Sequence, residues 1–113
     1  MHCCGGFEPL LPAMIEAGLD GVQALQPKCR GMDPAKVKAE FGNQIVLMGA
    51  IDTQLLIEGT PAQAREETRR ILEIMKPGGG YVASPSHDYL LPETPIENVL
   101  AVYETIKEFG AYA

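Results

Sequence analysis

The stretch Ile45-Val46-Leu47-Met48-Gly49-Ala50-Ile51-Asp52-Thr53-Gln54 decides the fold. It is apolar from Ile45 to Ile51 without alternation, which is the pattern of a strand buried on both faces rather than one with a wet side. A strand of that kind belongs to a parallel sheet, and parallel neighbours need helical crossovers of about 30 residues per strand–helix unit. The sequence on either side supplies them.

Upstream, Gly21-Val22-Gln23-Ala24-Leu25 reads as a short strand ended by Gln26-Pro27, and downstream Tyr81-Val82-Ala83-Ser84 reads as a third. Helices are predicted from Phe7 to Ala17, stopped by Gly18 at a left-handed C′ position, and from Asp33 to Phe41, stopped by Gly42. Two further helices are predicted near Thr60 to Lys76 and Thr94 to Phe109. Asp33-Pro34, Thr60-Pro61 and Thr94-Pro95 each pair a capping side chain with a proline pre-set for the first turn. Gln63 and Glu97 complete capping boxes for Thr60 and Thr94. Ala64, Thr68, Ile71, Leu72 and Met75 share one side of the long helix. Val99, Leu100, Tyr103, Ile106 and Phe109 share one side of the last. Both stripes are expected to pack on the sheet.

Alternating strands and one-faced helices give an α/β chain with right-handed crossovers. A helix lacking its strand followed by three strand–helix units amounts to about three and a half βα units. A (β/α)8 barrel takes eight units and about 250 residues, so 113 residues correspond to its C-terminal half, treated as one portion over residues 1–113.

Composition narrows the function classes. There are 9 basic and 15 acidic side chains, a formal charge of −6, and 46% of the residues are hydrophobic. That excludes a disordered tail and argues against nucleic-acid or anionic-membrane partners. The N-terminus has no secretory pattern, and three cysteines, two adjacent, make a poor disulfide framework, so a cytoplasmic location is expected.

Chemistry concentrates at three strand ends. In His2-Cys3-Cys4-Gly5-Gly6, residues i and i+2 of an extended segment share a side, so His2 and Cys4 converge and Cys3 faces away. Imidazole plus thiolate is half of a zinc site, and a zinc-bound thiol is deprotonated and nucleophilic. The alternative is a buried thiol beside an unremarkable histidine. His87, in Ser84-Pro85-Ser86-His87-Asp88-Tyr89, is a candidate third ligand, general acid or substrate hydrogen-bonder, with Asp88 able to orient it. Otherwise it is a loop histidine bonded locally. Asp52 is a candidate catalytic acid/base at the end of the central strand, or a polar residue that closes the strand end. Cys29, between Lys28 and Arg30, reads as incidental; Gly78-Gly79-Gly80 precedes a strand and is a connector; Met14, Met48 and Met75 are core filler.

Taken in order, His2-x-Cys4-Gly5, Ile15-Glu16-Ala17-Gly18-Leu19-Asp20, Gly31-Met32-Asp33-Pro34, Gly49-Ala50-Ile51-Asp52-Thr53-Gln54 and Thr94-Pro95-Ile96-Glu97-Asn98-Val99 resemble the uroporphyrinogen decarboxylase superfamily along nearly the whole chain. The similarity is closest to the bacterial and archaeal branch that includes the cobamide-dependent methyltransferases. The resemblance implies a TIM barrel with its active site at the C-terminal ends of the strands, of which this chain is the C-terminal part.

In the methyltransferase branch a His-x-Cys pair and a later cysteine hold zinc, which activates a thiol that takes a methyl group from a corrinoid. His2 and Cys4 look like the first pair, while the later loop reads Ser86-His87-Asp88, so His87 or Asp88 stands in for the later cysteine or zinc binding is altered. In the decarboxylase branch a histidine of this loop contacts the tetrapyrrole, and His87 looks like its equivalent with a one-residue insertion. The carboxylate-handling arginines and aspartate of that branch lie near its N-terminus, outside these residues. Zinc-thiolate methyl transfer is therefore the favoured expectation, and uroporphyrinogen decarboxylation without a cofactor the second. A third is an inactive half-barrel, or one that works only with a partner. Expected partners are a corrinoid protein, the missing N-terminal half-barrel or a second copy; full activity from 113 residues alone is not expected.

Overall fold

The computed structural model describes residues 1–112. A 3-10 turn at Glu8–Leu10 leads into α1 (Leu11–Glu16), followed by β1 (Gly21–Leu25), α2 (Pro34–Phe41), β2 (Val46–Ile51), α3 (Thr53–Glu58), α4 (Pro61–Met75), β3 (Tyr81–Pro85) and α5 (Ile96–Phe109). The three strands form one parallel sheet in the order β1-β2-β3. Beside β1, His2 makes an isolated parallel bridge to Gln23, and the Gln23 N–H donates to Met1 O at 2.8 Å. The N-terminal residues thus extend the sheet at the β1 edge.

Helix boundaries follow the local chemistry. Gly18 has φ +103, as a C′ residue in the left-handed region requires. Asp33 Oδ2 accepts from the Lys36 N–H, and Thr60 and Gln63 form a full reciprocal capping box. The Thr94 box does not form. α5 begins at Ile96, one residue after its N-cap Pro95, and the Thr94 hydroxyl is buried with no partner. The reason is the preceding turn, in which the Thr94 N–H donates to Leu91 O and places the side chain outside the cap position. α3 is an element beyond those the sequence predicts: Asp52 caps it by accepting from the Gln54 N–H, and it fills the stretch between β2 and α4 with a six-residue helix.

The core lies between the sheet and the helices. Val22, Leu47 and Tyr81 are buried on the helix side, while Val46 and Val82 are nearly half exposed on the other. The stripe expected on α4 is buried as read: Ala64, Thr68, Ile71, Leu72 and Met75. On α5 the buried residues are instead Asn98, Ala101, Val102 and Thr105. Leu100 and Tyr103, expected inside, are 50% and 59% exposed. α5 packs mainly on α4, and small residues let the two helices approach; of the expected stripe Ile106 and Phe109 rest partly buried against the core, while Leu100 and Tyr103 face out. Asn98 is tolerated inside because its amide nitrogen donates to Leu56 O and Gly59 O, both at 2.8 Å, tying α5 to the C-terminal end of α3.

At the centre of the sheet, β1 carries a bulge between Val22 and Leu25, with Ala24 at φ +70, and β2 turns through Gly49 at φ +122 and Ala50 at φ +72. A Cβ on Gly49 would stand 2.6 Å from Leu25 N. The buried Tyr81 hydroxyl donates to Gly49 O at 2.6 Å, and burial raises its pKa above the ordinary phenol value. At the β3 edge, the Tyr81 N–H donates to the Tyr112 hydroxyl, which donates in turn to Tyr81 O.

Gly49→Ala combines a left-handed backbone with a clash and is expected to cost roughly 3 kcal/mol. Gly78→Ala, at φ +79 with open space around it, is expected to cost about 1 kcal/mol. Urea midpoints of the two variants check the difference, and equal losses would mean that β1 is free to move away from Gly49.

Candidate functional site

Parallel strands bring their C-terminal ends to one rim, and the extended N-terminal segment joins it. The rim therefore gathers His2 and Cys4, Gln26 after β1, Asp52 after β2, and Ser86 to Asp88 after β3. Three sets of hydrogen bonds stitch it together. The Gly5 N–H donates to Gln26 Oε1 at 2.8 Å, and the Cys29 thiol donates to the same oxygen at 3.4 Å. The Ser86 N–H donates to Ile51 O at 2.7 Å, while Ser86 Oγ accepts from the Thr53 N–H and pairs with Thr53 Oγ1, both at 3.0 Å. Both hydroxyls are buried, so this pair anchors the loop after β3 onto the start of α3.

The third set is the chemically distinctive one. His2 Nε2 lies 3.5 Å from Cys4 Sγ. His2 Nδ1 lies 2.6 Å from Gln23 Oε1 and 3.2 Å from Asp88 Oδ1, and Gln23 Nε2 donates to that carboxylate oxygen at 2.6 Å. Cys3 turns away from the rim and rests partly buried against the core, its thiol on Cys4 O. Asp88 thus meets His2, not its neighbour His87 as the sequence suggested. The chain bends from Ser86 to Tyr89, and that path carries the Asp88 carboxylate across to Gln23 and His2.

His87 stands apart from the His2–Cys4 pair. Its ring packs edge-on to Tyr89, with centroids 4.7 Å apart, and its Nδ1 is buried without a partner. It lines a cavity of about 210 Å3 together with Cys29, Asp52, Gln54 and Ser86, and a second of about 290 Å3 whose wall is mostly apolar. A larger cavity, of about 640 Å3, lies between α4 and α5 at the opposite end of the strands, away from this chemistry. Among the described residues no group of three His, Cys, Asp or Glu side chains is gathered closely enough to hold a metal ion. The donor set therefore fits zinc in kind, through one imidazole and one thiol, but not in number, since catalytic zinc takes three protein ligands.

Sequence reasoning passed over Gln23, Thr53 and Ser86. For Gln23 a signal existed, a lone amide inside an otherwise apolar strand. For Thr53 and Ser86 there was none, because their pairing spans 33 residues.

Asp52→Asn keeps a capping oxygen and should leave stability unchanged, whereas Asp52→Ala should cost about 1 kcal/mol. Ser86→Ala strands the Thr53 N–H and should cost about 1–3 kcal/mol. Denaturant unfolding measures all three, and a stability loss in Asp52→Asn equal to that of the alanine would show that the charge, not the cap, matters.

Comparison with known proteins gives these residues a context. The uroporphyrinogen decarboxylase (URO-D) family model matches residues 1–109. Uroporphyrinogen decarboxylase from Nostoc punctiforme is 32% identical over 107 residues, covering 93% of this chain and 28% of that protein. The same enzyme from Rickettsia africae is 32% identical over 76 residues, covering 67% of this chain and 21% of that one. Among solved structures, a methyltransferase from Methanosarcina mazei superposes with a TM-score of 0.75 at 30% identity, over 97% of this chain and 31% of that one. The chain thus spans under a third of the length of these relatives. Its open sheet of three parallel strands matches a part of their TIM barrel. On the match over residues 1–109, the chain belongs to the uroporphyrinogen decarboxylase family.

Proposed function

We propose that this chain carries the histidine–cysteine side of the active-site rim in a zinc-dependent thiol methyltransferase of the family, the methyl group coming from a corrinoid protein. The observation that supports this reading is the 3.5 Å approach of His2 Nε2 to Cys4 Sγ at the strand ends. A soft donor pair suits a soft metal, and decarboxylation without a cofactor has no use for it. The third donor has to come from outside the described residues or from movement of the loop bearing His87. Bound zinc would supply the electrostatic field that keeps a substrate thiol as the nucleophilic thiolate.

The chain's own side chains do the rest in this reading. Gln23 and Asp88 hold the His2 ring from behind, leaving Nε2 turned to Cys4 at the rim. The Ser86–Thr53 pair keeps the loop after β3 docked. His87 and Asp52 both line the 210 Å3 cavity, where an imidazole and a carboxylate are placed to meet the polar groups of a substrate.

One observation favours a second reading, decarboxylation of a uroporphyrinogen-type tetrapyrrole. The same unpartnered His87 shares its cavity with Lys28, a combination suited to a substrate carboxylate, and the decarboxylases named above are 32% identical to this chain. Under either reading the open sheet face and the outward face of α5, with Ile96 62% exposed beside Leu100 and Tyr103, call for cover from further strand–helix units. Three free thiols suit a reducing compartment, the basis for proposing the cytoplasm. Among the described residues no helix is long and apolar enough to cross a membrane.

Protein purified after zinc-replete expression is expected to hold one zinc per active unit, lost in His2→Ala and in Cys4→Ala. Metal-free protein under those conditions overturns the methyltransferase reading. Retention of a methylcorrinoid protein in preference to a porphyrinogen, measured by co-sedimentation, separates the two chemistries.

A further inference from the structure

We infer that Gln23 is the positioning residue of this rim, locking His2 as the Nδ1–H tautomer so that the Nε2 lone pair faces Cys4. The inference follows from which atoms can donate. The Asp88 carboxylate only accepts, so the Gln23 amide must turn its nitrogen to it, at 2.6 Å. That orientation presents the amide oxygen to the imidazole, at 2.6 Å from Nδ1. An amide oxygen also only accepts, and so does Asp88 Oδ1, 3.2 Å from the same nitrogen. Nδ1 therefore carries the hydrogen. A neutral imidazole has only one N–H, so Nε2 is left bare, 3.5 Å from Cys4 Sγ.

Backbone pairing makes the arrangement repeatable. His2 and Gln23 are bridge partners in adjacent parallel segments, which sets the imidazole and the amide side by side on one face of the sheet. Asp88 arrives from 65 residues away, held by the Ser86 bonds to Ile51 and Thr53. His2 and Asp88 are about half exposed, at 43% and 48%, and water competes for a direct bond between them. Gln23, less exposed than either, bridges the two by bonding both at once. The use of the bare nitrogen, as a soft-metal donor, rests on the reading proposed above; the tautomer itself does not.

The chain has two histidines, so the test is direct. Two-bond 1H–15N spectra of the uniformly labelled chain, taken well above the histidine titration range, report which ring nitrogen is protonated, and His87→Gln assigns the signals. His2 is expected to show a protonated Nδ1 and a bare Nε2. Gln23→Leu should average the two tautomers while the His87 signals, reporting the folded rim, stay in place. Asp88→Ala, which leaves the amide oxygen on Nδ1 but removes the group that orients the amide, should loosen the pattern partly. A wild-type His2 protonated at Nε2, or a locked ring in Gln23→Leu, overturns the inference. Zinc titration separates it from the functional reading. If His2 is locked but the wild type takes no zinc, the methyltransferase reading falls and Gln23 keeps its role. If the wild type binds zinc, Gln23→Leu should weaken binding by about 10–100-fold, and unchanged affinity counts against Gln23.

Discussion

Everything at the rim depends on how closely β1 and β2 approach at Gly49. No side chain fits there, since a Cβ would meet the Leu25 backbone at 2.6 Å. The close approach comes where β1 bulges at Ala24 and where Gly49 and Ala50 leave the extended region. Left-handed alanines cost free energy, and the sheet retains them because the Tyr81 hydroxyl, the parallel ladders and the buried apolar residues around them over-determine the conformation. The outcome is a rim in which β1 ends opposite Gly49, two residues before the paired ends of β2 and β3 at Ile51 and Pro85. Gln26, Asp52 and Ser86 can then exchange hydrogen bonds with their neighbours instead of with water.

The strands were legible because their signal is local. Apolar runs bounded by glycine and proline place β1, β2 and β3 within one residue of the observed limits. Asp33 and Thr60 could be read as caps for the same reason, each bonding three residues on. Thr94 carries an identical sequence signature and fails as a cap, because a turn back to Leu91 displaces it by one position. The α5 stripe failed for a different reason. Hydrophobicity identifies which residues would gain from burial, but α5 meets α4 through Ala101, Val102 and Thr105, whose small size permits close packing.

The candidate site was legible as residue types and illegible as partnerships. His2, Cys4, Asp52 and His87 do reach one rim, because a parallel sheet delivers strand ends together whatever their sequence separation. Which of them touch is decided by loop paths. Asp88 crosses to Gln23 and His2 while adjacent His87 turns into a cavity, and the anchor responsible, Ser86 on Thr53, is a pair of hydroxyls that carries no motif.

The free edge of β3 bears on how such a sheet gains further strands. Leu47 and Ile51 bond to Gly80 and Ser86, so Tyr81, Ala83 and Pro85 direct their backbone groups outward. Tyr112 already occupies both groups of Tyr81, and Pro85 has no N–H to give. Among the described residues of this edge, only Ala83 is left with both a donor and an acceptor unoccupied. An incoming strand must therefore evict a phenol before it can zip along this edge, which turns sheet extension into an exchange reaction and leaves the chain poorly suited to template its own stacking.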